Sequence, residues 1–150
     1  MEGKDFLGTA RLLLSNGSAE ADFRSAISRA YYACFLTART AAFRGCDGSV
    51  LNESSLTEQD IGHREILRYL ARDGAPEDIQ DIRETLSSLQ RNRIDADYKM
   101  QQRILLQDAR DAIEDAEALL LSLSPTLTAQ IGKEAEAYLT SLIKGRKPRK

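Results

Sequence analysis

An all-α fold, an up-and-down four-helix bundle with one or two additional helices, is predicted by three observations on this sequence. Proline is nearly absent while alanine and leucine are plentiful, apolar residues recur at intervals of three and four, and no segment alternates apolar with polar over the length of a strand. Four longer helices joined by short turns pack as a bundle, with the first or last helix alongside.

The elements follow in order. Phe6, Leu7, Ala10, Leu13 and Leu14 share one face of a helix predicted over 4–15, and Asn16-Gly17 is expected to end it with a left-handed residue. A second helix, about 19–44, places Phe23, Ala26, Ile27, Ala30, Tyr31, Cys34, Leu36 and Ala38 on a broad apolar surface whose alanines permit close packing. Residues 45–57, rich in Gly, Ser and Asn, read as an exposed loop. Thr57-Glu58-Gln59-Asp60 has the composition of a helix start, leading to Ile61, Ile66, Leu67 and Leu70 before Asp73-Gly74 closes the segment. Pro76-Glu77-Asp78 opens the next helix with a first-turn proline and two carboxylates at the positive end of the dipole. Ile79, Ile82, Leu86 and Leu89 fix its buried face, and that register puts Asn92 and Arg93 near the apolar seam with Arg91 to one side. A helix over about 101–123 carries Ile104, Leu105, Ala109, Ala112, Ile113, Ala116, Leu119 and Leu120, and Ser124-Pro125 stops it. The last, about 127–143, carries Leu127, Ile131, Ala135, Tyr138, Leu139, Leu142 and Ile143.

The chain suits one domain over 1–145, large enough to fold without disulfide or metal, followed by a basic tail over 146–150. Apolar residues at 42% and charged residues at 29% exclude a disordered chain. Two cysteines are too few for a disulfide framework, and Cys34 sits in an apolar pattern where a thiol acts as a small hydrophobe. The N-terminus has charges at Glu2, Lys4 and Asp5 rather than a signal peptide, and no run approaches the ~20 apolar residues of a membrane span. A cytoplasmic protein with no membrane association is expected. No glycine-rich phosphate loop, nucleophile elbow or zinc spacing occurs, so neither a cofactor nor a metal is expected. Asp95 and Asp97 lack a third acid or a histidine beside them.

The chemistry concentrates in Arg91-Asn92-Arg93-Ile94-Asp95-Ala96-Asp97-Tyr98, where two guanidiniums, two carboxylates and a phenol occupy about two turns at the end of a helix. Arginine forks onto phosphate, and a helix end can aim it at a partner. Arg29, on the helix that carries Tyr31 and Tyr32, is placed to pair with Asp95 or Asp97 as a strut. Adjacent helical positions are ~100° apart, so Tyr31 follows the core register and Tyr32 points to the flank. His63 is the only imidazole and hence the only ordinary proton shuttle near neutral pH.

Two segments together resemble the HEPN superfamily of small helical bundles. Ser25-Ala26-Ile27-Ser28-Arg29-Ala30-Tyr31-Tyr32-Ala33-Cys34-Phe35 is similar to its "s-A-x-x-R-A-Y-Y-A-x-F" helix, and the Arg91 to Tyr98 segment is similar to both its "R-N-x-x-x-H-x-Y" motif and the "R-x-x-A-D-Y" ending of less studied branches. The resemblance spans roughly residues 5 to 122. It implies a homodimer, and in catalytic relatives a metal-independent endoribonuclease in which Arg holds the scissile phosphate and His moves protons as the 2′-hydroxyl attacks. Here the position five residues after Arg91 is Ala96, and five after Arg93 is Tyr98. A phenol with a reference pKa of ~10 is a poor base at neutral pH, and acid–base catalysis contributes ~10²- to 10⁴-fold.

The sequence therefore favours a dimeric HEPN-type module presenting an Arg-rich site to RNA or nucleotide, with weak or no nuclease activity. Arg91, Arg93, Tyr98 and His63 are the catalytic candidates; Asn92, Arg29 and Tyr32 are the substrate-binding candidates. Two alternatives stand beside it: an endoribonuclease toxin paired with a nucleotidyltransferase antitoxin, which in some such pairs adenylylates the motif tyrosine, and a non-catalytic protein-interaction scaffold.

Overall fold

The computed structural model describes residues 2–146, and every described regular element is helical: seven α-helices and one 3₁₀ turn. They are α1 (Gly3–Asn16), α2 (Glu20–Arg44), α3 (Gly48–Ser54), the 3₁₀ turn (Glu58–Asp60), α4 (His63–Tyr69), α5 (Glu77–Tyr98), α6 (Leu106–Ser122) and α7 (Pro125–Arg146). The all-α expectation holds. No described helix is long and apolar enough to cross a membrane. Of the basic tail expected over 146–150, Arg146 closes α7 and 147–150 lie outside the described residues.

The described chain forms two compact units, one from residues 2–37 and 84–122, the other from 38–83 and 123–146. The first unit holds four helical segments in up-down-up-down order. α1 and α2 are antiparallel, since Gly3 lies against Ala33 and Thr37 while Gly17 lies against Asp22. α2 and α5 are antiparallel too: Arg24 reaches the carbonyls of Ala96 and Lys99, Ser28 reaches Asp97, and Tyr32 reaches Arg93. α6 runs with α2, as Glu20 meets the Ile104 amide and Cys34 meets the Ala116 carbonyl. The core of this unit is largely small: Ala10, Ala26, Ala30, Ala33, Ala109, Ala112 and Ala116 are all fully buried. Removing that many methyls' worth of bulk lets helix axes approach, and Ile27, Tyr31, Leu86 and Leu89 fill what remains. Cys34 is among the buried residues, and burial raises its thiol pKa to about 12, which leaves it an inert packing group.

In the second unit α7 packs against α3 and α4. Gly45 and Gly132 meet backbone to backbone there: a Cβ on Gly45 would stand 2.5 Å from the Gly132 Cα, inside van der Waals contact. Ile61, Ile66, Tyr69, Leu70, Ile131 and Leu139 form the core. Glu134 on α7 is 2% exposed and is gripped by Arg72 in a two-pronged pair, Nε to Oε2 at 2.7 Å and Nη2 to Oε1 at 2.8 Å. Gln130 Nε2 adds a third donor at 2.9 Å. The Arg72 hydrogen bonds, ahead of every other influence, hold the Glu134 carboxyl below its ordinary pKa.

Four sequence expectations are corrected. The stretch read as a loop over 45–57 contains α3, capped by Asp47 Oδ1 accepting from the Ser49 amide at 2.8 Å. With seven residues and none buried, it has no apolar periodicity to read. Gly17 ends α1 in an extended conformation (φ −100°) rather than a left-handed one; among the described residues the left-handed ones are Ser55 and Gly74. The helix expected from Thr57 is divided, a 3₁₀ turn capped by Asp60 and then α4 from His63 to Tyr69, ending before Asp73-Gly74. α6 begins at Leu106 rather than near 101: before it, the carbonyls of Lys99 and Gln102 and the amide of Ile104 are taken by the side chains of Arg24 and Glu20 on α2.

Candidate functional site at the end of α5

Arg93 lies on the inner side of α5, where its side chain is 13% exposed. Nη2 donates to the Tyr32 hydroxyl at 2.9 Å. Nε is buried and sits 2.9 Å from Asp97 Oδ2 without the N–H pointing along that line, so the attraction is a Coulombic pair rather than a formed hydrogen bond. Asp97 Oδ2 also accepts from Ser28 Oγ at 3.3 Å. Three rings surround the guanidinium, with centroids 5.9 Å (Tyr31), 5.3 Å (Tyr32) and 5.5 Å (Tyr98) from its central carbon. Aromatic faces carry partial negative charge, so they substitute for part of the hydration that the cation loses. Tyr31 stands edge-on to Tyr32 at 5.5 Å, and burial pushes its phenol pKa well up, with Arg93 opposing. That phenol stays protonated at any working pH.

The last turn of α5 is closed from α2. Arg24 Nη1 donates to the carbonyls of Asp95 (3.2 Å), Ala96 (2.9 Å) and Lys99 (3.2 Å), and Nη2 donates to the Gln102 carbonyl and to Glu20 Oε1. A helix leaves its final carbonyls without intrahelical partners, and a guanidinium at the negative end of the dipole satisfies them. Glu20 Oε1 then accepts the Ile104 amide at 2.9 Å. That backbone bond first, and Arg24 second, hold the Glu20 carboxyl below its usual range. The segment after Tyr98 is thus fixed by two side chains one helical turn apart.

The HEPN domain family model matches residues 2–124. The chain belongs to the HEPN family. Comparison with curated proteins and with solved structures returned no match. In this HEPN chain the matched stretch includes the whole end of α5 and stops one residue before α7.

The structure brings Tyr32, Arg93 and Tyr98 together and separates them in role. Arg91 is exposed and its one side-chain bond is to Ser87 Oγ at 3.2 Å on its own helix; Asn92 is exposed beside it. Tyr98 is 69% exposed, one face toward Arg93. Arg29 does not form the expected strut: Asp97 pairs with Arg93, Asp95 pairs with Lys99 Nζ at 2.8 Å, and the exposed Arg29 guanidinium lies 5.7 Å over the Phe6 ring. The physical reason is proximity, since Arg93 and Lys99 reach these carboxylates from four residues away on the same stretch of chain. His63 begins α4 in the second unit, half-buried, whereas the arginines and Tyr98 belong to the first. Among the described residues no three metal-ligating side chains converge.

Arg24 and Glu20 were missed by sequence reasoning. A signal was available: Arg24 precedes Ile27 and Tyr31 by three and seven positions, on the buried register of α2. A charged group on such a register needs buried partners, and backbone carbonyls supply them.

Proposed function

We propose that this chain is a HEPN module that binds RNA or a nucleotide through the exposed side of the α5 end, with weak or no strand cleavage. One observation carries the reading: Arg93 is consumed by Asp97, Tyr32 and three rings, while Arg91 and Tyr98 stay open to solvent. Seven helical positions return to the same side of a helix about 10 Å along its axis. Arg91 then grips a phosphate while Tyr98, steadied from beneath by the Arg93 guanidinium, stacks on a base. Asn92 adds amide donors beside Arg91. Ala96 is buried at the first motif-histidine position, and Tyr98 occupies the second, so this unit offers no imidazole to move protons. Residues 1–145 are read as one domain because α2 and α5, each unbroken, contribute to both units.

The test is fluorescence anisotropy with labelled single-stranded RNA and with ATP over a salt series. Saturable binding with a negative log–log salt slope is expected, and Arg91→Ala reduces that slope by about 1. Tyr98→Ala lowers affinity by a factor on the order of 5 to 100, the value of one stacked base. Binding too weak to saturate with either probe would overturn the reading. RNA cleavage giving 2′,3′-cyclic ends that vanish in Arg91→Ala would replace it with the ribonuclease.

A second reading is favoured by Ile94, Tyr98, Met100 and Leu105, apolar side chains exposed at 37, 69, 68 and 49% within one short stretch. Such a cluster beside charged groups suits a protein partner, a second copy of this chain or a nucleotidyltransferase. Light scattering on the wild type and on Met100→Asp with Leu105→Asp tests the self-association form: a dimer that becomes monomeric supports it, and a wild-type monomer at all concentrations removes it.

A further inference from the structure

A cavity of about 190 Å³ opens in the second unit, and none of the residues discussed above as functional candidates lines it. An apolar cavity of about 150 Å³ holds a benzene molecule, so the space suffices for a small ligand. Its floor is aliphatic, from Leu56, Leu139, Leu142 and Ile143, and one wall is aromatic, from Tyr69 and Tyr138 with ring centroids 5.2 Å apart. Its charged lining is Asp60 and Glu65 against a single cation, Arg68. That lining carries one net negative charge.

Tyr69 distinguishes this cavity from a surface dimple. The residue is 3% exposed and lines the space, so its ring is a buried wall and its hydroxyl is the polar group that wall carries. Burial first, then the nearby carboxylate of Glu65, raises the Tyr69 phenol pKa to about 12, so it remains a neutral donor and acceptor. Asp60 is already held ionised by the Thr57 backbone amide and hydroxyl, leaving its other oxygen for an incoming cation.

We propose that this cavity binds a small primary ammonium compound with an apolar body, the body resting on Leu139 and Leu142 against the tyrosine rings and the ammonium placed between the Tyr69 hydroxyl and the carboxylates of Asp60 and Glu65. The chemistry is shared by free amines and by apolar α-amino acids. In an amino acid the carboxylate would turn outward to Arg68, which is exposed and forms no ion pair with a described residue. Much of the site is built by α7, which lies beyond the stretch matched by the HEPN family model.

The experiment is calorimetric and NMR titration of the full chain with 2-phenylethylamine, L-phenylalanine, phenylacetate and 2-phenylethanol. Saturable millimolar or tighter binding of 2-phenylethylamine is expected, with phenylacetate excluded; L-phenylalanine binding more tightly than the amine identifies the amino acid as the source, and weaker binding identifies the free amine. Tyr69→Phe keeps the ring and removes the hydroxyl, and weakens binding about 2- to 12-fold, the range of one neutral hydrogen bond. Glu65→Gln narrows the preference for the amine over 2-phenylethanol. Leu142 is 39% exposed, so Leu142→Trp is accommodated at the surface and blocks the cavity even if Tyr69→Phe fails to fold. No saturable binding of 2-phenylethylamine, equal binding of phenylacetate, or undiminished binding by Leu142→Trp would each overturn the proposal.

Discussion

Arg93 in the first unit and Arg72 in the second each hold one carboxylate, but they bury opposite partners. Around Arg93 the cation is inside, 13% exposed, and Asp97 is the wetter member at 27%. Around Arg72 the cation is half exposed and Glu134 is inside at 2%. The difference lies in what else surrounds the charge. Rings on α2 and α5 accept a cation against their faces, whereas Glu134 is met by the Gln130 amide of its own helix α7 and by the Arg72 guanidinium from the turn after α4. A buried cation among tyrosines fixes the posture of a neighbouring exposed ring, while a buried anion with three donors fastens a turn to a helix. The first arrangement serves a surface; the second serves the frame.

The largest effect expected from this contrast is at Arg93. Arg93→Ala removes the cation beside Asp97 and the donor to Tyr32, opens a void among three rings, and lowers stability by about 2–4 kcal/mol in urea unfolding. Arg93→Lys restores the charge without the planar fork and recovers about half of that. An unchanged urea midpoint in Arg93→Ala would abolish the distinction between the two units.

Next comes the Glu134 pair, read through pH. Glu134 has a folded pKa below its unfolded value of ~4.3, so its contribution is fully present at neutral pH and is lost as pH falls through the depressed folded value. Glu134→Gln costs about 1–2 kcal/mol at neutral pH and flattens the acid limb of stability against pH. Arg72→Ala steepens nothing but removes the depression, shifting acid unfolding to higher pH. Urea midpoints measured across the acid range decide this, and an acid limb in Glu134→Gln that matches wild type would count against it.

The smallest effect is at Tyr98. Tyr98→Ala changes stability by less than about 0.5 kcal/mol, as expected of a mostly exposed side chain, while the proposed RNA binding weakens. A large loss of stability would show that its contact with Arg93 is structural rather than a stacking platform.

Much of this was readable from residue spacing. The apolar stripes of α1, α2, α5, α6 and α7 are long enough to repeat over several turns, so their faces were evident, and Tyr31 and Tyr32 divided into core and flank as the ~100° rotation requires. α3 was hidden because a short exposed helix has no stripe. The partition of Arg91 from Arg93 was half legible: the register placed Arg93 near the seam, but the tyrosine cage depends on α2 lying antiparallel to α5, a tertiary fact with no local signature. For the same reason sequence spacing suggested Arg29 for Asp95 and Asp97 when residues closer along the chain take them. The Tyr69 cavity was invisible at that level, since Asp60, Tyr69 and Leu142 come from three separate elements.

Arg24 binds only main-chain oxygens in the stretch after Tyr98. Every amino acid supplies that atom, so the grip on the carbonyls of Lys99 and Gln102 does not depend on the side chains of Met100 and Gln101 between them. Met100 and Gln101 can be exchanged one for another without moving the backbone that presents them, which makes this turn a fixed mount for interchangeable chemistry at the edge of the arginine surface.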